Sequence, residues 1–255
     1  MKENETKNTV LLEGMTSISA LLDSSDVNDR KILRIWIDQE RAGKRAADIR
    51  FLETKKAALG FEIQYTNAET IATLSTGLTH GGILAECGER TIPPLTAGTI
   101  VPNGFYVYLE GMEDPYNFGG ALRSLYAAGV DGVILPERNW MNVAGTVARA
   151  SAGASERLPL FTADAKTTLS CFRTAGYQIL CAGIRNSVSI YESKFFYPVL
   201  LVIGGEKRGI SRVFTENADH IVRVDYANAF RGSLSSASCA AVLAFELFRQ
   251  NKKAP

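Results

Sequence analysis

The sequence predicts an α/β protein, on three observations. Short apolar runs such as Phe105-Tyr-Val-Tyr-Leu109 and Val199-Leu-Leu-Val-Ile203 recur between stretches with helical apolar spacing. That alternation marks a parallel sheet covered by helices on both faces, because strands buried on both sides read as continuous rather than alternating apolar runs. Glycines fall just past the runs, at Gly60, Gly129 and Gly204, where a chain must turn sharply. Finally, 46% apolar and 22% charged residues in 255 are ordinary for a globular chain, which at this length is one large domain or two modest ones.

Two blocks of elements flank a connector. In the first, Ile18–Leu22 suits a short helix and Ile32–Ile37 a strand. Ala42–Leu59 suits a longer helix stopped by Gly60, and Phe61–Tyr65 alternates like a half-buried strand. Ala68–Leu74 reads as helix and Gly82–Cys87 as strand. Residues 89–104, with Pro93, Pro94 and Pro102, predict an extended linker. In the second block, strand Phe105–Leu109 is followed by the loop EGMEDPYN. A helix carrying Phe118, Leu122, Leu125 and Tyr126 comes next, then strand Gly132–Leu135. Further strands are expected at Tyr177–Cys181, Val199–Ile203 and His220–Val224, and a last helix at Ser236–Gln250. The expected domains are 1–88 and 105–255.

Bulk chemistry narrows the function classes. The formal charge of +1 gives no global basic field, so contact with nucleic acid requires a local patch. Cys87, Cys171, Cys181 and Cys239 are scattered without a CxxC pair, and two histidines, His80 and His220, offer no zinc spacing. Isolated thiols of this kind suit a reducing compartment. The start, MKENETKNTVLLEGM, is too polar for a signal peptide, and no apolar stretch approaches the roughly 18 residues of a membrane span. A cytoplasmic, soluble protein that does not enter the membrane is expected.

The stretch VIGGEKRGIS, 202–211, has the Gly-x-x-x-x-Gly spacing of a phosphate loop, yet Ile210 and Ser211 stand where that motif has Lys and Ser/Thr. A carboxylate, Glu206, sits inside it. An anion would be repelled there, so a ligand carrying positive charge is the better expectation.

This loop is one of three stretches that together resemble the motifs of the SpoU (TrmH-like) ribose 2′-O-methyltransferases. They are DPYNFGGALRSLYAAGV at 114–130, LVIGGEKRGIS at 201–211 and IVRVDYANAFRGSLSSASCAAVLAFE at 221–246. ARASAGASERLPL, 148–160, is similar to the segment between the first two, while LEGMTSISALL and THGGILAE are similar to the ends of the family's RNA-binding N-terminal domain. The resemblance implies a small α/β, ribosomal-protein-like RNA-binding domain, then an α/β-knot domain: a parallel sheet with a deep trefoil knot, assembled as a homodimer. It implies S-adenosylmethionine as cofactor, with Cys181, Ala182, Gly183, Gly204, Gly205, Val224 and Leu234 around it. No metal is expected, since the leaving group departs as a neutral thioether. Catalytic positions carry over as Asn117, Arg123, Glu206, Ser233 and Ser235.

The chain departs from the family's pattern at three places. The family's Ser-Leu-Asn is Ser233-Leu234-Ser235 here, and its Ile-Pro-Met is Val224-Asp225-Tyr226. His80-Gly81-Gly82 also has Gly where many relatives have Gln. The expected activity is methyl transfer to RNA, with ribosomal RNA favoured and transfer RNA the alternative. A binding protein with weak catalysis is the rival reading, on account of Ser235. Taken singly, each residue has a plainer reading. Asn117, and Ser233 or Ser235, would cap helices; Arg123 would be a solvated helix charge and Glu206 a turn carboxylate. His80 and His220 would be structural. The cluster Arg41, Lys44, Arg45, Arg50, Lys55 and Lys56 is an exposed helix face or an RNA contact.

Overall fold

A computed structural model describes residues 9–137 and 143–252. In chain order the elements are β1 (Val10–Glu13), α1 (Gly14–Leu22), β2 (Ile32–Asp38), α2 (Ala46–Leu59), β3 (Glu62–Thr66), α3 (Ala68–Leu74) and β4 (Ile83–Cys87). There follow β5 (Phe105–Glu110), α4 (Pro115–Ala127), β6 (Gly132–Leu135), α5 (Ala144–Ala150), α6 (Ala154–Arg157), β7 (Leu160–Thr162) and α7 (Ala165–Thr174). The chain continues through β8 (Gln178–Ala182), β9 (Val188–Ser189), β10 (Val199–Gly204), α8 (Arg212–Thr215), β11 (His220–Arg223) and α9 (Ser236–Asn251). It divides into two compact units, Met1–Thr91 with Asn139–Arg157, and Ile92–Arg138 with Leu158–Pro255.

The first unit is a four-stranded sheet in the order β1-β4-β2-β3, in which only β2 and β3 are parallel. Leu12, Ile18, Ile35, Ile37, Leu52 and Ile83 fill its core. Within it α5 packs on β1 and α6 on α1, an arrangement the sequence did not anticipate for a segment so far along the chain. Two ion pairs, one buried and one half-buried, secure that segment. Glu156 takes Arg30 at 3.1 Å and Asn28 at 2.8 Å, and Arg149 reaches Glu13 at 2.7 Å.

The second unit is a seven-stranded sheet, β7-β6-β5-β10-β8-β11-β9, with every pairing parallel. On one face Tyr106, Tyr108, Leu200 and Val202 pack with Phe172 of α7 and Phe214 of α8; Tyr106 meets Phe172 edge-on at 5.2 Å. Fully burying each of these large side chains contributes about 1.5–3 kcal/mol. α4 and α9 pack on each other, and α9 also lies against β10. The chain steps from β5 outward to β6 and β7, then returns so that β10 enters between β5 and β8. At such a reversal the loops leaving the carboxyl ends diverge and open a crevice.

The predicted helix over 42–59 begins as a 3₁₀ turn, Ala42–Arg45, before α2 proper, and Gly60 ends it with φ +76°. β1, β7, β9 and α5 to α8 were not predicted. The linker holds one 3₁₀ turn, Ala97–Thr99, and Pro94 bridges Thr162 beside β7.

Candidate active site at the carboxyl ends of the strands

The first motif supplies the loop from β5 into α4. Taken alone, Asn117 reads as the cap of the helix that follows it. Instead Asp114 is the N-cap, accepting the Asn117 N–H at 2.7 Å, with Pro115 at the helix start where its missing N–H costs nothing. Asn117 is therefore inside the first turn and its carboxamide is free for other work. It donates to Glu206 Oε1 at 2.7 Å, joining motifs 89 residues apart.

The second motif is shaped by backbone contacts. Gly209 N–H donates to Gly205 O at 3.0 Å, folding the loop back on itself. A methyl group on Gly204 would collide with the Gly209 backbone, and one on Gly205 with the carbonyl of Gly111. Glycine stands at both positions because two strand ends approach with no room for a side chain. Glu110 accepts the Ser211 N–H at 2.8 Å, Lys207 pairs with Glu113 at 2.6 Å, and Ser236 Oγ donates to Gly204 O at 2.8 Å. The loop is thus tethered to β5, to α4 and to α9.

The third motif departs from its relatives in ways the structure uses. Asp225 accepts from Arg223 at 2.7 Å and from the Ser189 hydroxyl. The Ser189 bond, aided by Arg223, holds this carboxyl below the usual range against the opposing effect of burial. Tyr226 Oη accepts the Leu234 N–H at 3.1 Å. Ser235 is the N-cap of α9, its Oγ accepting the Ser238 N–H at 3.2 Å. Serine and asparagine cap equally well, so α9 does not lose its start by having Ser there.

These loops surround a cavity of about 330 Å³, lined by Ala182, Gly183, Gly204, Gly205, Val224 and Leu234 among others. Ser233 and Glu206 also reach it, as do Arg185, Tyr226 and Cys239, which the sequence did not single out. Cys181 is fully buried and lies behind the lining; burial pushes its thiol up to about 12 and that of Cys239 to about 11. Both thiols are neutral and unreactive near pH 7. A second cavity of about 340 Å³ adjoins at Glu206, lined by Gly111, Asp114, Asn117 and Lys207. Ser235 lines neither cavity, and nor does Arg123. Arg123 lies six residues along α4 from Asn117, about 9 Å along the axis and about a third of a turn away in direction. It is exposed and forms no ion pair among the described residues. Those residues also place no three His, Cys, Asp or Glu side chains together as metal ligands.

The lining suits a ligand of particular chemistry. Backbone of small residues leaves room for a flat or bent molecule, and the volume falls in the ordinary ligand range. Arg223 is engaged by Asp225, and Glu206 puts negative charge where the two cavities meet.

Comparison with known proteins finds two matching stretches, the longer of which runs through the 139–157 segment that packs with the first unit. Residues 104–245 match the SpoU rRNA Methylase family, and residues 11–93 match the RNA 2′-O ribose methyltransferase substrate-binding family. The 23S rRNA (guanosine-2′-O-)-methyltransferase RlmB of Shewanella oneidensis is 27% identical over 249 residues, 95% of this chain and 98% of its own. The same enzyme of Escherichia coli K12 is 28% identical over 94% of this chain and 98% of its own. In fold, an AdoMet-bound rRNA methyltransferase from Sinorhizobium meliloti superposes with a TM-score of 0.77 at 23% identity, over 95% of this chain and 87% of that one.

Proposed function

The chain belongs to the SpoU rRNA methylase family, and we propose that it transfers a methyl group from S-adenosylmethionine to a ribose 2′-hydroxyl of 23S ribosomal RNA. The observation that carries this is the single cavity into which Gly204 and Gly205, Val224 and Leu234, and Ala182 and Gly183 converge from separate loops. Its lining fits the cofactor, because glycine backbone admits a bulky ligand closely and Glu206 favours a cation. When bound, S-adenosylmethionine supplies an electrophilic methyl carbon on a sulfonium, so the protein's part is position and electrostatics.

Asn117 holds the Glu206 carboxylate in place at the cavity's edge. Arg123 clamps the phosphate next to the target ribose and offsets the charge that builds on the 2′ oxygen as its proton leaves to water. Ser233 contributes a hydroxyl at the cavity, and Ser235 acts through the helix it caps. Residues 1–88 present the RNA, 89–104 connect, and 105–255 carry out the transfer. The deep trefoil knot that membership of this family implies would lie within residues 105–255. The exposed aromatics Tyr116 and Tyr126 of α4, with Phe245 and Phe248 of α9, suit burial in a homodimer. No helix among the described residues is long and apolar enough to cross a membrane, and the proposed workplace is the cytoplasm with its ribosomal RNA.

Incubation with 23S ribosomal RNA and methyl-labelled cofactor, followed by alkaline digestion, tests the reading. A methylated ribose cannot attack its neighbouring phosphodiester, so label must survive in dinucleotides. Label in mononucleotides alone would refute 2′-O transfer. Cofactor binding without label would favour the weakly catalytic reading, and label on transfer RNA alone would reassign the substrate.

A further inference from the structure

The loop between α3 and β4 carries Leu78, which is 97% exposed, whereas the next most exposed large apolar residues, Ile184 and Phe196, reach 65%. A lone exposed leucine on a loop free to fold back would mean little. This loop is not free. Glu13, its side chain 3% exposed, accepts the Thr76 N–H at 2.6 Å, the Thr76 hydroxyl at 2.8 Å and the Gly77 N–H at 3.1 Å. Arg149 closes the group from the other side at 2.7 Å. Gly77 has no space for a side chain, since a methyl there would strike Arg149 and Glu13. On the far side of Leu78, Gly81 and Gly82 take φ +62° and +83° directly beneath Arg45 and Arg41. A buried carboxylate, three donors and three glycines hold the loop so that its apolar tip points into solvent.

The flank is cationic. Arg41 and Arg45 keep 57% and 41% of their side chains exposed while pairing with Asp38 and Asp48, and Lys44 between them has no partner among the described residues. The glycine under Arg45, Gly81, comes three positions after Leu78, a span of at most about 10 Å. Proteins read RNA by packing splayed, unpaired bases on apolar or planar side chains while cations hold the phosphates alongside.

We propose that the 76–82 loop is the nucleotide-reading element of the first unit: Leu78 packs against an unpaired RNA base, and Lys44 and Arg45 hold the neighbouring phosphates. This rests on the RNA reading above and goes beyond it by naming the contact. A preformed tip costs less to bind than one that must be ordered on contact.

The test uses the full chain and a 23S ribosomal RNA transcript, with affinity measured between 50 and 200 mM salt. Leu78→Ala is expected to weaken binding about tenfold, the effect of losing one buried apolar side chain, without changing the salt slope. Lys44→Gln is expected to lower that slope by about 0.7–0.9, one phosphate's worth. Cofactor affinity and the urea midpoint should not move in either variant. Wild-type affinity in both Leu78→Ala and Leu78→Asp would overturn the proposal and leave the RNA reading intact. A wild-type protein that does not bind the transcript would overturn both. A change in sedimentation with Leu78→Ala would assign the tip to a second copy of the chain and likewise overturn it.

Discussion

Replacing Gly205 by alanine puts a methyl group against the exit of β5, in collision with the Gly111 carbonyl oxygen and 3.0 Å from Glu110 O. Both obstacles are backbone, so no rotamer relieves them. The methyl would lie 2.1 Å from that oxygen, and contacts relax at about 3.5–4.0 Å, so the loop must retreat from β5 by about 1.5 Å or more. Overpacking of this kind costs about 1–3 kcal/mol. The retreat also strains the tethers from Asn117 to Glu206 and from Glu110 to Ser211, which sit at 2.7 and 2.8 Å. At about 1.4 kcal/mol per factor of ten, affinity for S-adenosylmethionine should fall about tenfold to a hundredfold. Gly209 provides the internal comparison. Its φ is +65° but nothing lies within 4 Å of an added methyl, so Gly209→Ala carries only the left-handed backbone cost of about 1–2 kcal/mol. Calorimetric titration with the cofactor, on samples with matched far-UV spectra, separates the two. If Gly205→Ala binds within twofold of wild type, or Gly209→Ala is the weaker binder, the close-approach account of this loop is wrong.

Two further substitutions probe the supports. Glu13 is pulled up by burial, but the Thr76 N–H, the Thr76 hydroxyl and Arg149 together outweigh that and leave its carboxyl below the ordinary 4.5. Its contribution to stability is thus present above pH 4.5 and is lost as pH falls through the lowered value. Glu13→Gln should destabilise the first unit by about 3–5 kcal/mol near neutrality and flatten the acid limb of its urea midpoint against pH. An unaltered acid limb would contradict the assignment. Ser235→Ala should cost about 1 kcal/mol in thermal unfolding through the lost α9 cap, and Ser235→Asn should restore it to within a few tenths. Equal melting of all three proteins would remove the cap from the account of the third motif.

Much of this architecture can be read in the sequence, and the remainder is hidden for identifiable reasons. β5 and β10 are legible because each is apolar throughout, as a strand covered on both faces must be. α3 and the end of α2 at Gly60 follow from local spacing and one glycine. α4 starts earlier than expected, inside the predicted loop EGMEDPYN, where Asp114-Pro115 is a strong start signal. α5 and α6 are rich in Ala, Ser and Gly and lack an apolar period; their burial depends on β1 and α1, more than a hundred residues earlier. In the site, most of the motif residues lie on loops that meet at one cavity, while Arg123 and Ser235 do not line it. The Asn117–Glu206 bond and the place of Arg185 and Tyr226 on the cavity are long-range facts that no spacing encodes.

The same loop decides between a cation and an anion. Glycine loops that cradle phosphate do so with N–H groups aimed outward at the ligand. Here Gly209 spends its N–H on Gly205 O and Ser211 on Glu110, so these two donors are used inside the loop. Lys207 is drawn to Glu113, away from the role of a phosphate-binding lysine, and Glu206 stands at the cavity with Asn117 fixing it. Anionic ligands should therefore find no cradle in the backbone of this loop, although Arg185 lines the same cavity. Millimolar ATP with magnesium is expected to leave the titration of S-adenosylmethionine unchanged, its adenine alone being too weak an anchor for a triphosphate repelled by Glu206. Competitive displacement by ATP at micromolar concentrations would show that the loop holds phosphate after all, and the charge argument for a sulfonium would fall.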